Sequence, residues 1–149
     1  MVDAFVHYVP AARVVFAPGS LAQVPAELSR LGVTRALLVS GGPEAEYAER
    51  LSADLGDRVV ARFTDVVMHV PVEIAERAVV TAREAEADVV VALGGGSSTG
   101  VAKAVAKETG LPIVAVPTTY AGSEMTSIWG LTEGSRKTTG KDLRVLPRT

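Results

Sequence analysis

Five apolar residues, Val89-Val90-Val91-Ala92-Leu93, run straight into Gly94, Gly95, Gly96 and Ser97, and Ser98-Thr99-Gly100-Val101-Ala102-Lys103 carry the chain onward. This order of residue types suits phosphate binding. An apolar strand delivers three glycines to the start of a helix, and without Cβ atoms the backbone can turn sharply and approach phosphate oxygens closely. The free N–H groups and positive dipole end of the helix then favour an anion. Ser97 adds a hydroxyl donor. The spacing is neither G-x-G-x-x-G nor a Walker loop, since no Gly-Lys-Ser/Thr follows. A glycine turn used only for tight packing of strand on helix has the same composition, and both readings stay open at this point.

A second segment has unusual chemistry: Pro117-Thr118-Thr119-Tyr120-Ala121-Gly122-Ser123-Glu124-Met125-Thr126. It leaves the carboxyl end of the next expected strand, the edge at which open α/β sheets bind ligands. Its hydroxyls suit phosphate and ribose oxygens, although a Thr/Ser/Gly loop capping a hairpin has the same make-up. The other reactive residue types converge on nothing comparable. His7 and His69 are the only histidines, and neither has a carboxylate at metal-ligand spacing. We expect structural or solvated roles for both and no metal ligand in the chain. Cysteine is absent, which excludes disulfides and thiolate metal sites. Glu73, Glu76, Glu84 and Glu86 mark a solvated helix face. Trp129 is expected to pack within a hairpin, since no basic cluster surrounds it. Packing is expected for Tyr120 too, with ligand contact the competing role. No complete catalytic set is present, so the catalytic residues are unknown.

These loops need a frame. The 149 residues suit one domain, and 48% hydrophobic with 21% charged residues is an ordinary globular composition. A net charge of −2 without basic stripes argues against nucleic-acid or membrane partners. The first residues lack a basic n-region followed by an apolar stretch, and no apolar run approaches the ~20 residues of a membrane span, so a cytoplasmic location is expected. Short β-rich runs alternate with amphipathic stretches, which predicts an α/β fold: a Rossmann-like, doubly wound, mostly parallel sheet. Strands are expected at 13–17, 35–40, 58–63, 88–93 and 113–116. The first helix, capped by Ser20 and ended by Gly32, would bury Leu21, Val24, Leu28 and Leu31. The second would turn Tyr47, Leu51 and Leu55 inward. The third would span about 72–87 with Ile74, Ala75, Ala78, Val79, Ala82 and Ala85 inward, and the fourth 98–109. Residues 127–132 and 137–139, on either side of Glu133-Gly134-Ser135-Arg136, predict a C-terminal β-hairpin. The last residues, from Leu143 to Thr149, read as a chain that continues.

Gly94-Gly95-Gly96-Ser97 with Ala102-Lys103, then Pro117-Thr118-Thr119 and Gly122-Ser123-Glu124-Met125-Thr126, resemble the iron-containing alcohol dehydrogenase superfamily. Within it, Met68-His69-Val70-Pro71, the run from Pro117 to Gly130 and Arg136-Lys137-Thr138-Thr139 are most similar to the maleylacetate reductases. The resemblance runs over the whole chain. It implies that residues 1–149 form the NAD(P)-binding N-terminal domain of a two-domain enzyme, the domain shared with dehydroquinate-synthase-like proteins. The activity implied is reduction of maleylacetate to 3-oxoadipate by NADH or NADPH during aromatic-compound degradation. Gly94, Gly95, Gly96 and Ser97 would then hold the pyrophosphate and Thr118 and Thr119 the adenosine side. Ser123 and Thr126 would lie towards ribose and nicotinamide, and Lys137 would approach the cofactor.

Two departures stand out. Gly100 replaces the acid that usual dehydrogenases carry in that motif. Gly41 takes the place of an acid that would bind the adenosine ribose, which predicts little discrimination between NADH and NADPH. The family's metal-ligating Asp and His residues would belong to a helical second half, with any divalent metal and most contacts to the dicarboxylate substrate. The 149 residues alone would be inactive, and the intact enzyme a homo-oligomer. Rival readings are another iron-type alcohol or polyol dehydrogenase, a dehydroquinate-synthase-like enzyme, or a non-catalytic nucleotide-binding module.

Overall fold

The computed structural model describes residues 11–149; His7 lies outside them. Four strands form one parallel sheet: β1 (Ala36–Ser40), β2 (Val59–Phe63), β3 (Val89–Gly94) and β4 (Ile113–Pro117), in the order β2-β1-β3-β4. β1 and β3 are central and buried along their whole length, as expected of strands that read as unbroken apolar runs. Alternate residues face opposite layers. Leu37, Val39, Val90 and Ala92 pack with α3 (Val72–Glu84) and α4 (Gly96–Thr109). Ala36, Leu38, Val89, Val91 and Leu93 pack with α1 (Val24–Leu31) and α2 (Ala45–Leu55). Helices on both faces make the sheet doubly wound.

The antiparallel hairpin of β5 (Ile128–Glu133) and β6 (Arg136–Lys141) closes on Gly134-Ser135. Only Gly134 of the two has a positive φ, 56°, the pattern of a type II′ turn. Trp129 lies across Gly140, where a Cβ would come 2.6 Å from its ring, and it packs against the α3/α4 core as expected.

Several local expectations change. Residues 13–17 are not a strand, and Val14 and Phe16 are exposed. β-propensity needs a free ladder partner, and the outer edge of β4 is occupied: Arg148 N–H donates to Ile113 O and Ala115 N–H to Thr149 O, both at 2.8 Å. Arg13 instead forms a two-pronged ion pair with the buried Glu27, which also accepts from Arg30 and Thr149. Ser20 does not cap; a 3-10 turn over Ser20–Gln23 follows a left-handed Gly19 and leads into α1, which Gly32 ends at φ 71°. On α2 the inward stripe is Ala48, Leu51 and Leu55; Tyr47, about 100° round the helix from Ala48, is exposed. α3 stops at Glu84, because Glu86 turns to φ 50° and Ala87 N–H closes back on Ala82 O. α4 starts at Gly96, two residues earlier than expected.

Candidate functional site

β1, β3 and β4 end side by side. The chain winds outward from β1 to β2, then crosses back to β3 and β4 on the other side, so the loops after β1 and β3 diverge and open a crevice there. Gly41 follows β1, Gly94 closes β3, and Pro117, opposite Gly94, closes β4. Gly94 has φ 144°, which other residues avoid, and a Cβ on it would lie 2.4 Å from Ser98 Oγ. That part of the glycine run does serve tight packing. Gly95 and Gly96 serve something else. A Cβ on Gly95 would sit 3.1 Å from Thr119 Oγ1, and one on Gly96 3.3 Å from Ala121 Cβ. The segment after β4 is therefore laid against the glycine loop, tied down by Thr118 N–H to Gly94 O at 3.0 Å.

The N-terminus of α4 has neither a capping side chain nor an acid in its first turn. Its leading N–H groups remain for a ligand, and the positive end of the helix dipole is not neutralised locally. An anionic, narrow group fits this cradle, because a side chain on Gly95 or Gly96 would fill it.

The expected site residues divide among three adjoining places. Gly41 and Gly94 border the crevice. Gly96, Ser97, Ser123 and Lys137 line a cavity of about 370 Å³ with Met68, His69, Lys103 and Trp129. Thr118 and Thr119 line another of about 490 Å³ on the opposite side of the β4 loop, beside Phe16, Tyr120 and Met125. Tyr120 is 99% exposed, so it does not pack as expected. Thr126 points inward: its hydroxyl contacts Ser123 O at 3.3 Å and accepts from Lys103 Nζ at 3.1 Å.

Sequence reasoning missed two residues. Lys103 is 1% exposed, and its ammonium also donates to Thr126 O at 2.8 Å and Ile128 O at 2.7 Å. It pins the loop after β4 and the start of β5 to α4. Burial pushes its pKa down to about 8, opposed by the nearby Glu124 carboxylate. The available signal was a lone lysine within Val101-Ala102-Lys103-Ala104-Val105-Ala106, a stretch otherwise apolar all round. The second is Glu44, whose Oε1 accepts from Thr118 Oγ1 at 3.0 Å across the crevice.

Gly100 also gains a reason. A Cβ there would lie 2.6 Å from Val70 Cγ2. Val70 is buried at φ 44°, next to His69 at φ 66°. This strained turn is clamped to β5 by Thr132, which donates to His69 O at 2.8 Å and Val70 O at 3.1 Å. Among the described residues no group of three or more His, Cys, Asp or Glu side chains is placed to hold a metal, and no helix is long and apolar enough to cross a membrane.

A glycine-rich anion cradle at the switch point of a doubly wound parallel sheet defines the class: α/β domains of the nucleotide-binding type. The pattern of the iron-containing alcohol dehydrogenase family matches residues 11–149, and the chain belongs to that family. It is 51% identical over 144 residues to maleylacetate reductase from Pseudomonas knackmussii, covering 97% of this chain and 41% of that protein. The crystal structure of maleylacetate reductase from a Rhizobium species superposes with TM-score 0.92 at 47% identity, over 99% of this chain and 42% of the other. A sulfoacetaldehyde reductase from Bifidobacterium kashiwanohense, solved in complex with NAD+, superposes with TM-score 0.88 at 25% identity, over 97% and 45%. The chain thus spans about two fifths of the length of the relatives it matches.

Proposed function

We propose that residues 1–149 are the dinucleotide-binding part of an NAD(P)H-dependent oxidoreductase of the maleylacetate reductase type, reducing maleylacetate to 3-oxoadipate. The observation that carries this reading is the meeting of the glycine loop with the segment after β4 over the uncapped N-terminus of α4. Bound there, the nicotinamide would supply the hydride for the enoate double bond. This chain's residues bind and orient. The α4 amides and Ser97 take the pyrophosphate, Thr118 and Thr119 the adenosine side, and Ser123 and Lys137 border the cavity towards the nicotinamide. Lys137 adds positive charge where phosphate and a dicarboxylate would both gain from it.

In this reading the ligands for any divalent metal, the proton source and most dicarboxylate contacts lie in the additional length of the relatives. The 149 residues alone do not turn over substrate. Assembly into a homo-oligomer and a cytoplasmic location belong to the same proposal. The exposed Val14, Phe16, Tyr120 and Met125 are side chains that further protein would cover.

Calorimetric titration of the chain with NADH tests the reading. Gly95→Val would push a branched side chain against Thr119 and into the cradle, and should lower NADH affinity at least tenfold, about 1.4 kcal/mol. Unchanged affinity in a folded Gly95→Val variant would remove the phosphate assignment.

A further inference from the structure

We infer that Glu44 selects between the two nicotinamide dinucleotides, accepting hydrogen bonds from the adenosine ribose hydroxyls and repelling a 2′-phosphate. The inference rests on the cofactor site proposed above. It revises the expectation drawn from Gly41, where the missing acid implied indifference to the 2′-phosphate.

The chain compensates for Gly41 within one turn. After β1 it folds back through a 3-10 turn, Gly42–Glu44, in which Glu44 N–H donates to Gly41 O at 3.3 Å. Pro43 presets the turn. The side chain of Glu44 is thereby carried back over the ends of β1 and β3. Its Oε2 lies 3.3 Å from where a Cβ on Gly41 would stand, and its carboxyl carbon 3.4 Å from the corresponding point on Gly94. A long acid three residues later occupies the volume a short acid at position 41 would fill. Gly41 is the opening that admits it.

The carboxylate is oriented and charged. Thr118 Oγ1 donates to Oε1 from the far side of the crevice, and among the described residues Oε2 has no hydrogen-bond partner. Nor does any described lysine or arginine pair with Glu44. Arg62, on the neighbouring β2, is held by Glu49 at 2.7 Å, so it is not free to receive a phosphate. The crevice between the first two central strands therefore presents an acceptor with its negative charge uncompensated. A ribose diol satisfies such an acceptor with two O–H donors. A 2′-phosphate brings nearly two further negative charges and no second donor in that place, and like charges set together at an interface are strongly unfavourable.

The test titrates the chain with NADH and NADPH by calorimetry, and with ADP-ribose and 2′-phospho-ADP-ribose, which lack the nicotinamide. Wild type should bind the ligand without the 2′-phosphate at least tenfold more tightly in both pairs. Glu44→Gln keeps the length and an oxygen for Thr118 while removing the charge, and Glu44→Ala removes the side chain. Both should reduce the ratio to threefold or less, mainly through tighter binding of the 2′-phosphorylated ligand. Equal wild-type affinities, or a preference unchanged in both variants, would overturn the role of Glu44 while leaving the dinucleotide site intact. Failure of all four ligands to bind wild type would overturn the site itself and Glu44's role with it.

Discussion

Replacing Lys103 by methionine should loosen the loop after β4 while leaving the sheet in place. Methionine keeps the apolar stem against α4 and removes the ammonium, so Thr126 O, Thr126 Oγ1 and Ile128 O lose their donor together. A half-buried acceptor left without a partner costs about 1 kcal/mol. The hydroxyl keeps its approach to Ile128 N–H at 3.4 Å, so the two carbonyls bear most of the loss. Relief from burying a charge returns part of it, and the net loss should be about 2 kcal/mol, lowering Tm by about 4–8 °C in a chain of this size. The pH dependence has a defined sign. Lys103 titrates near 8 in the fold against 10.5 for an unperturbed lysine, so between those values the unfolded chain binds more protons. Stability from this group therefore rises with pH from about 8 to 10.5, and Lys103→Met loses that slope. Thermal melts at pH 7 and 9.5, with hydrogen exchange on residues 123–128, read both effects. A Tm change below about 1 °C with unaltered protection of that loop would show that the three contacts do not hold it.

Two further perturbations probe the frame. The Arg13 hydrogen bond, chiefly, holds the Glu27 carboxyl down at about 2 against 4.5, with Arg30 and Thr149 assisting and burial opposing. Its stabilisation is complete above pH 4.5 and is lost as pH falls towards 2, so Glu27→Gln should flatten denaturant-monitored stability across that window. At pH 7 the same variant should cost about 2 kcal/mol, less than a fully buried pair because both arginines are part-exposed; an acid-side slope equal to wild type would contradict the assignment. Gly100→Ala should destabilise although alanine is favoured in helices by about 1 kcal/mol, since its Cβ meets Val70 Cγ2. Val70→Ala in the same chain should recover that loss in a double-mutant cycle of melts, and additive costs would show that the two side chains do not compete.

The sheet was legible because its signals are local. Unbroken apolar runs ending at Gly41, Gly94 and Pro117 could belong only to buried strands, and the glycine loop announces its backbone needs in residue type alone. The failures share one physical cause. Residues 13–17 have strand-forming side chains, but whether they pair depends on Thr149, more than 130 positions away, which takes the β4 edge first.

The candidate site divides along the same line. Gly95 and Gly96 were readable because an absent side chain is a property of one position. Lys103 and Glu44 act through partners 23 to 25 and 74 residues distant, and no spacing rule links them. Glu44 shows how this misleads. Judged position by position, Gly41 removes the acid from the crevice; folded, the same glycine makes room for the acid that returns. A missing side chain in a binding loop thus counts as lost chemistry only after the residues that can fold back into its volume have been located. At Gly41 that residue is three positions on, and the Thr118 hydroxyl holds it in place.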